Sequence, residues 1–497
     1  MARTTNKGIV ILAAGAAIIL ALFCAGPAAA GEPAQPSAVD PRKMEFPPIE
    51  FKVPKVDRTV LPNGMVVYTL EDHLLPIIAI TSAINVGEIY VPAEKAGLAS
   101  LTGDIMRTGG TKNMTGDEVD KALEHVAASV SVDIERERGT ASVFCLKKDL
   151  DPTLRIFANI LMCPTFADDK IDKRKKELME SFRRENDFPD EIAGREFRKL
   201  IYREHPYARR TTGYPDTIEK ISRDDLVSFH AKFFHPNNVI LGVSGDFDKE
   251  EMLEKLRGVF ADWKGEKNDF PPVAALSEDF HRSLNFIKKD INQSSVLLGH
   301  LGLERLNPDF YAVTVMNFIL GEDFTSRLVE TVRTKGGLAY SVGSDFLMPR
   351  YKGMFVCYFQ TANPQSFGAV EKTLAELERI RTEKVPPEEF KRAKDSISNR
   401  FVFNFATAGG IVSRFVTIEF EGLPRDYFDT YLDKIAAITP DDTLRVANKY
   451  VHPDRITLLV VGNDEAPKSF PEAWGKFNVI ELSGPASERP PASPAEQ

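Results

Sequence analysis

Eight histidines, at positions 73, 125, 205, 230, 235, 281, 300 and 452, raise hydrolytic zinc chemistry as the first possibility to test. A catalytic zinc needs three nitrogen, sulfur or carboxylate ligands and one open position for water. Two histidines four apart on a helix, with a glutamate beside one of them, put two rings and a general base on one face. Neither H-x-x-E-H nor H-E-x-x-H occurs. His230 and His235 are five apart, separated by Ala231, Lys232, Phe233 and Phe234, and read as helix-end and loop residues. The histidine set therefore predicts no zinc site.

The segment Asn85-Val86-Gly87-Glu88-Ile89-Tyr90, followed by Gly97-Leu98-Ala99-Ser100-Leu101-Thr102-Gly103-Asp104, resembles the zinc-site segment of the insulinase/pitrilysin-type metallopeptidases. There a strand leads into a Gly-Leu-Ala helix start, and the helix carries H-x-x-E-H. In this chain the three motif positions fall on Ser100, Gly103 and Asp104. Ser100 offers a neutral hydroxyl, Gly103 offers no base, and Asp104 alone does not make a site. Glu180 lies near where the third ligand would be, in a charged stretch that reads as a solvated helix face. An active enzyme using Asp104 and Glu180 as atypical ligands is a third-ranked reading.

A second match runs from Gly321 to Val342, with Ser326-Arg327-Leu328 and Gly337-Leu338-Ala339-Tyr340-Ser341-Val342. It resembles the second-domain segment of the same superfamily. The resemblance implies that Arg333 and Tyr340 hold the substrate backbone and stabilise the developing oxyanion. A guanidinium and a phenol can both donate hydrogen bonds to such an oxygen. A third match, Glu185-Asn186-Asp187-Phe188-Pro189 with His205-Pro206-Tyr207-Ala208-Arg209-Arg210 and Gly213, is similar to a first-domain segment of the family. His205 is expected to cap or pack in a turn.

The resemblance implies a pairing. In several members one subunit has H-x-x-E-H and its mate supplies the Arg and Tyr. This chain has the second pattern. It is expected to be a non-catalytic, substrate-binding subunit, with no cofactor of its own and zinc in an H-x-x-E-H partner. The alternative is a stand-alone peptide-binding or scaffolding protein. Peptides are the expected ligands in either case.

The elements that must position these residues repeat. Ile221, His235 and Gly245 recur as Ile438, His452 and Gly462, each 217 residues later, in matching helix, His-Pro turn, buried-strand and Gly-turn contexts. His235 and His452 then read as fold punctuation. The expected fold class is α+β: two homologous domains, 55–263 and 283–482, joined by a charged, Pro-containing linker over 264–282. Each domain is expected to be a mostly antiparallel sheet with helices packed on one face. Strands are predicted at Leu75–Val86, Ser129–Asp133, Thr140–Leu146 and Ser295–His300. Helices are predicted at Lys95–Arg107, Asp169–Arg184, Asp190–Arg203 and, as one long element, Pro387–Ile418. Thr115 and Glu118 match a capping box.

Residues 1–30 read as a secretory signal: Arg3 and Lys7, an apolar run from Gly8 to Phe23, and Ala28-Ala29-Ala30 before Gly31. A periplasmic or secreted location is expected, with no membrane span after cleavage. A lipoprotein through Cys24 ranks lower, because bulky Phe23 precedes it. The chain's net charge of −9, more negative without Arg3 and Lys7, argues against nucleic acid as a partner. Cys145, Cys163 and Cys357 remain, an odd and widely spaced set that predicts free thiols. Residues 31–54 read as a Pro-rich leader and 483–497 as a disordered tail.

Overall fold

Residues 51–482 are described here by a computed structural model. The expected signal sequence 1–30, leader residues 31–50 and tail 483–497 lie outside the described residues. Two six-stranded sheets carry the fold. The first is built from β1 (Asp57–Val60), β2 (Val66–Glu71), β3 (Ile77–Ile84), β4 (Ser129–Ile134), β5 (Gly139–Leu146) and β6 (Val239–Gly245), in the order β1-β2-β6-β3-β5-β4. The second is built from β7 (Ser283–Lys288), β8 (Gln293–Leu301), β9 (Ala339–Leu347), β10 (Met354–Ala362), β11 (Thr457–Gly462) and β12 (Asn478–Val479), in the order β12-β7-β11-β8-β10-β9. The β2–β6, β7–β11 and β7–β12 pairs are parallel, and the other pairings are antiparallel. The expected two-fold repeat is present, with β2, β3 and β6 recurring as β7, β8 and β11 at the 217-residue offset, to within a residue.

Alternation along the strands explains the layering. In β4, Val130, Val132 and Ile134 are buried while Ser129, Ser131 and Asp133 are exposed, so one face meets the core. That face is covered by helices of the same half: α1 (Leu98–Thr108), α2 (Gly116–His125), α3 (Leu150–Met162), α4 (Asp168–Arg184), then, beyond α5 (Pro189–Tyr202), α6 (Pro215–Lys220), α7 (Arg223–Phe233) and α8 (Lys249–Val259). The capping box at Thr115 and Glu118 opens α2 as predicted.

The second half contains α9 (Phe310–Asn317), two π-helical stretches at Phe318–Glu322 and Val329–Thr334, α10 (Ser366–Thr382), α11 (Pro387–Val402), α12 (Ala408–Glu421), α13 (Tyr427–Ala437), α14 (Pro440–Tyr450) and the single turn α15 (Glu465–Lys468). The long helix predicted over Pro387–Ile418 is two helices. It ends at Val402, passes through a 3₁₀ turn at Phe403–Phe405 and restarts at right angles, bent by 107°. The break is built from side chains. Thr407 accepts the Gly410 N–H at 3.1 Å as the new N-cap, and Phe401 and Phe405 pack on Phe51 near the start of the described residues.

That break serves an exchange between the halves. α12 leaves its own half and lies on the reverse face of the first sheet, where Val412 and Val416 pack with Tyr68 and Ala83. The approach is close enough that a Cβ on Gly242 of β6 would sit 2.4 Å from Val412. Reciprocally, α5 of the first half packs on the reverse face of the second sheet, where Leu459 and Val461 share a core with Ile192, Ala193 and Phe197. Each sheet thus has its own helices on one face and a borrowed helix on part of the other. Residues 264–282 form no helix or strand, and Phe270, Val273 and Leu276 anchor this strap to the first-half core. No single helix among the described residues is long and apolar enough to cross a membrane.

Candidate functional site

Helix α1 begins where the backbone leaves β3 through Gly87 and turns at Gly97 (φ 95°). Its N-terminus is held by Glu88, a wholly buried carboxylate whose Oε1 accepts the Gly97 N–H at 2.8 Å. Its other oxygen has no hydrogen-bond partner. Burial pushes the Glu88 carboxyl up to about 8, against the opposing pull of the Gly97 and Ala99 N–H groups and of Arg209 and Arg136.

Ser100, Gly103 and Asp104 lie together on this helix, as the spacing requires, and do not form a metal site. The Asp104 carboxylate accepts from Arg174 Nε of α4 at 2.7 Å. Arg174 also donates to Glu177 at 3.3 Å. A guanidinium therefore bridges the two carboxylates where a divalent cation would have to sit. Burial raises the Asp104 carboxyl above its ordinary value, Arg174 pulls it back, and Asp133 and Glu177 raise it further. At Gly103 a Cβ would stand 3.1 Å from Ile134 Cγ1 and 3.2 Å from the Ile134 nitrogen. The helix packs closely on the edge strand β4, so a side chain at 103 would require Ile134 to shift by a few tenths of an ångström.

Glu180 does not approach this group. It is exposed and pairs with Arg183 at 2.5 Å. Glu177, three residues earlier on the same helix, is the α4 carboxylate that faces α1, and spacing along a helix distinguishes the two only once the α1–α4 packing is known. Asp104 and Glu180 therefore do not form the atypical pair. Among the described residues, no three His, Cys, Asp or Glu side chains converge to hold a metal ion, and zinc does not fit this helix. Ser100, Asp104, Asp133 and Thr140 instead line a polar recess of about 370 Å³ at the sheet edge.

Five histidines hydrogen-bond to the backbone. His205 Nδ1 accepts the Tyr207 N–H at 3.1 Å and caps the 3₁₀ turn Pro206–Ala208. His230 Nε2 lies 2.9 Å from the Leu161 carbonyl, and His235 Nε2 lies 2.9 Å from the Lys232 carbonyl. The His452 N–H donates to His300 Nε2 at 3.0 Å. Cys145, Cys163 and Cys357 are free, the first and last buried.

Arg333 and Tyr340 lie in the other half. Arg333 is in the π-helical stretch Val329–Thr334, a distortion common near functional groups. Gly337 (φ 62°) ends that stretch and lets the chain turn into the edge strand β9. Tyr340 is the second residue of β9, beside a register shift opposite Phe359 and Thr361. The structure brings the pair together: the Arg333 guanidinium lies 5.4 Å from the Tyr340 ring centroid. Tyr340 is 80% exposed. Neither side chain has a hydrogen bond or ion pair among the described residues, and none joins them to Ser100 or Asp104. Arg327, in the same matched segment, is different. It is buried and holds Glu389 through two bonds of 2.8 and 3.0 Å, which ties the π-helical stretch to α11. The pair is thus a guanidinium beside a phenol, neither of them hydrogen-bonded through its side chain among the described residues.

Comparison with known proteins places this architecture. A family model described as insulinase (peptidase family M16) matches residues 66–214, and one described as peptidase M16 inactive domain matches 220–397. A Rickettsia felis protein named uncharacterized zinc protease is 25% identical over 414 residues, covering 81% of this chain and 97% of the relative. A Helicobacter pylori protein named non-peptidase homolog YmxG is 26% identical, covering 80% and 92%. The crystal structure of a peptidase M16 inactive domain from Pseudomonas fluorescens superposes with a TM-score of 0.76 at 24% identity, covering 82% of this chain and 98% of that one. A protease from Helicobacter pylori superposes at 0.75 with 20% identity, covering 82% and 100%.

Proposed function

Because the chain belongs to the M16 (insulinase) peptidase family yet carries a closed, metal-incompetent helix, we propose that it is the substrate-binding subunit of a two-chain zinc peptidase. The mate would be an H-x-x-E-H subunit of the same family, and zinc would sit there. Secretion through the signal-like residues 1–30 would put the pair in the periplasm or outside the cell. One observation carries this reading. Arg333 and Tyr340 are held next to each other, supported from behind by the Arg327–Glu389 clamp, and left without partners. A half-buried guanidinium beside an exposed phenol can donate to a peptide carbonyl and hold it more strongly as negative charge develops on its oxygen.

The test is reconstitution. Purified chain is mixed with its H-x-x-E-H subunit, and cleavage of an unstructured peptide is followed. Arg333→Ala and Tyr340→Ala are each expected to lower the rate, by on the order of a hundredfold if the group donates to the oxyanion. Unchanged cleavage by both variants would overturn the assignment.

A second reading has one observation in its favour, the name non-peptidase homolog carried by the Helicobacter pylori relative. On that reading the chain binds peptides or scaffolds other proteins without any proteolytic mate. Rate stimulation in the mixture supports the first reading, and its absence supports the second.

A further inference from the structure

The borrowed helix α5 covers the reverse face of the second sheet over β8 and β11. Towards the β9 edge that face stays open. Along β10, Met354, Val356, Tyr358 and Gln360 alternate with the core residues Phe355, Cys357 and Phe359, and so share the reverse face. Leu347, Asp345 and Gly343 of β9 stand opposite Met354, Val356 and Tyr358. Tyr358 is 39% exposed and Leu347 is 41% exposed.

This open strip begins at Tyr340. Ala339 and Val342 both belong to the second-half core, so the two residues between them cannot alternate in the usual way. The register shift opposite Phe359 and Thr361 absorbs the extra residue, and Tyr340 and Ser341 stand together opposite Gln360. Further along, Tyr358 pairs with Gly343, which lies about 10 Å beyond Tyr340 at the ordinary rise of a strand.

Gly343 has a reason to lack a side chain. A Cβ there would stand 2.7 Å from the Tyr358 hydroxyl oxygen and 2.9 Å from its Cζ. The ring therefore lies across Gly343 and keeps that residue buried. Its polar tip is engaged. Burial and the facing Asp345 carboxylate push the Tyr358 phenol up, and the phenol pulls the Asp345 carboxyl down against the lift of burial. With the hydroxyl turned to Asp345, what Tyr358 offers outward is ring surface. Covering a strand glycine also stabilises a sheet by itself. That role alone predicts a change in melting temperature and none in the choice of peptide.

We propose that Tyr358 is a specificity-determining residue for a peptide held at Arg333 and Tyr340. It selects a large apolar side chain, which lies on its ring with Leu347 beyond. This role rests on the peptide-binding reading above. A backbone anchored at Tyr340 runs along the open strip beside β9, and the selected side chain sits about three residues from the held carbonyl.

The experiment is fluorescence-anisotropy titration of the full chain alone. The probes are fluorescein-labelled glycine-serine peptides that carry one central guest residue: phenylalanine, serine or lysine. The phenylalanine peptide is expected to bind roughly tenfold tighter than the other two. Tyr358→Phe is expected to keep that preference, because the ring carries it. Tyr358→Ala and Gly343→Ala are expected to reduce it to about twofold or less, the first by deleting the ring and the second by pushing it off the strand. Arg333→Ala is expected to weaken all three peptides alike. That arm tests the anchoring pair, and its failure leaves Tyr358 to be judged by the guest residues. Equal affinities of the phenylalanine and serine peptides for the wild type, or a preference for lysine, would overturn the proposal. So would a preference that survives Tyr358→Ala, with or without a lowered melting temperature, since the ring would then be structural only. Absence of measurable binding by every peptide overturns it as well, while cleavage by the two-chain mixture still decides the subunit reading.

Discussion

Gly103 and Arg174 together explain why no single substitution would install H-x-x-E-H chemistry on this helix. A glutamate at 103 meets Ile134, and a histidine at 104 would still face the Arg174 guanidinium that now binds Asp104. The Arg174 guanidinium pairs with Asp104 and Glu177 and neutralises these acids without a metal. Glu88 shows the same economy at the start of the helix, and it carries a pH signature. In the unfolded chain Glu88 ionises near ~4.3; in the fold it is pushed up to about 8. Between those values the folded state binds the extra proton. Stability from this group is therefore full below about 4.3 and is lost as pH rises through 8. Glu88→Gln keeps the acceptor and removes the ionisation. Melting curves from pH 5 to 8.5 should show the wild type losing stability relative to Glu88→Gln as pH rises. Parallel curves would show that Glu88 is already ionised in the fold. The missing zinc-ligand side chains at 100 and 104 and the missing base at 103 were legible as residue types. The Arg174 replacement was not, because its partner stands 70 positions away and charge runs such as Lys173–Glu177 read equally well as solvated surface.

At the scale of elements, the strands and most helices followed from alternation and caps, and the 217-residue repeat fixed their correspondence. What sequence pattern concealed was the break between α11 and α12. Helical periodicity continues through Phe403–Thr407, so nothing local demands a stop, and only the docking of α12 on a distant sheet makes the turn worthwhile. Thr407-Ala408-Gly409-Gly410 was the available signal, since a threonine N-cap before small residues opens a helix. The docking itself can be tested with two glycines that differ in their surroundings. Gly242→Val pushes side-chain carbon into Val412 and Val416, and is expected to cost about 1–3 kcal/mol or more. Gly409→Ala, inside α12, meets nothing nearer than Ser244 Oγ at 3.6 Å. It should be neutral or stabilise by up to about 1 kcal/mol through helix propensity. Chemical denaturation of both variants decides the matter, and equal effects would mean that α12 is not seated on β6 as described.

At the scale of the whole molecule, the exchange of α5 and α12 makes the two homologous halves unequal to independence. Each sheet has one face finished by its own helices. Its other face depends on a helix encoded in the opposite half. Without α12, the first sheet exposes Tyr68 and Ala83 together with the surface that Gly242 leaves open. Without α5, the second sheet exposes Leu459 and Val461. Ion pairs cross in the same places: Arg58 of β1 holds Glu419 of α12 at 2.8 Å, and Tyr68 donates to the same carboxylate at 2.7 Å. A duplicated chain that had merely tethered two finished domains would separate cleanly at residues 264–282. This one should not. Residues 51–263 and 264–482 expressed apart are expected to be insoluble or to bind a hydrophobic dye strongly, whereas co-expression should yield a stable one-to-one complex. Proteolytic nicking of the intact chain within 264–282 should likewise leave the halves together on gel filtration. Separate halves that each unfold cooperatively and fail to associate would show that the borrowed helices contribute little to either core.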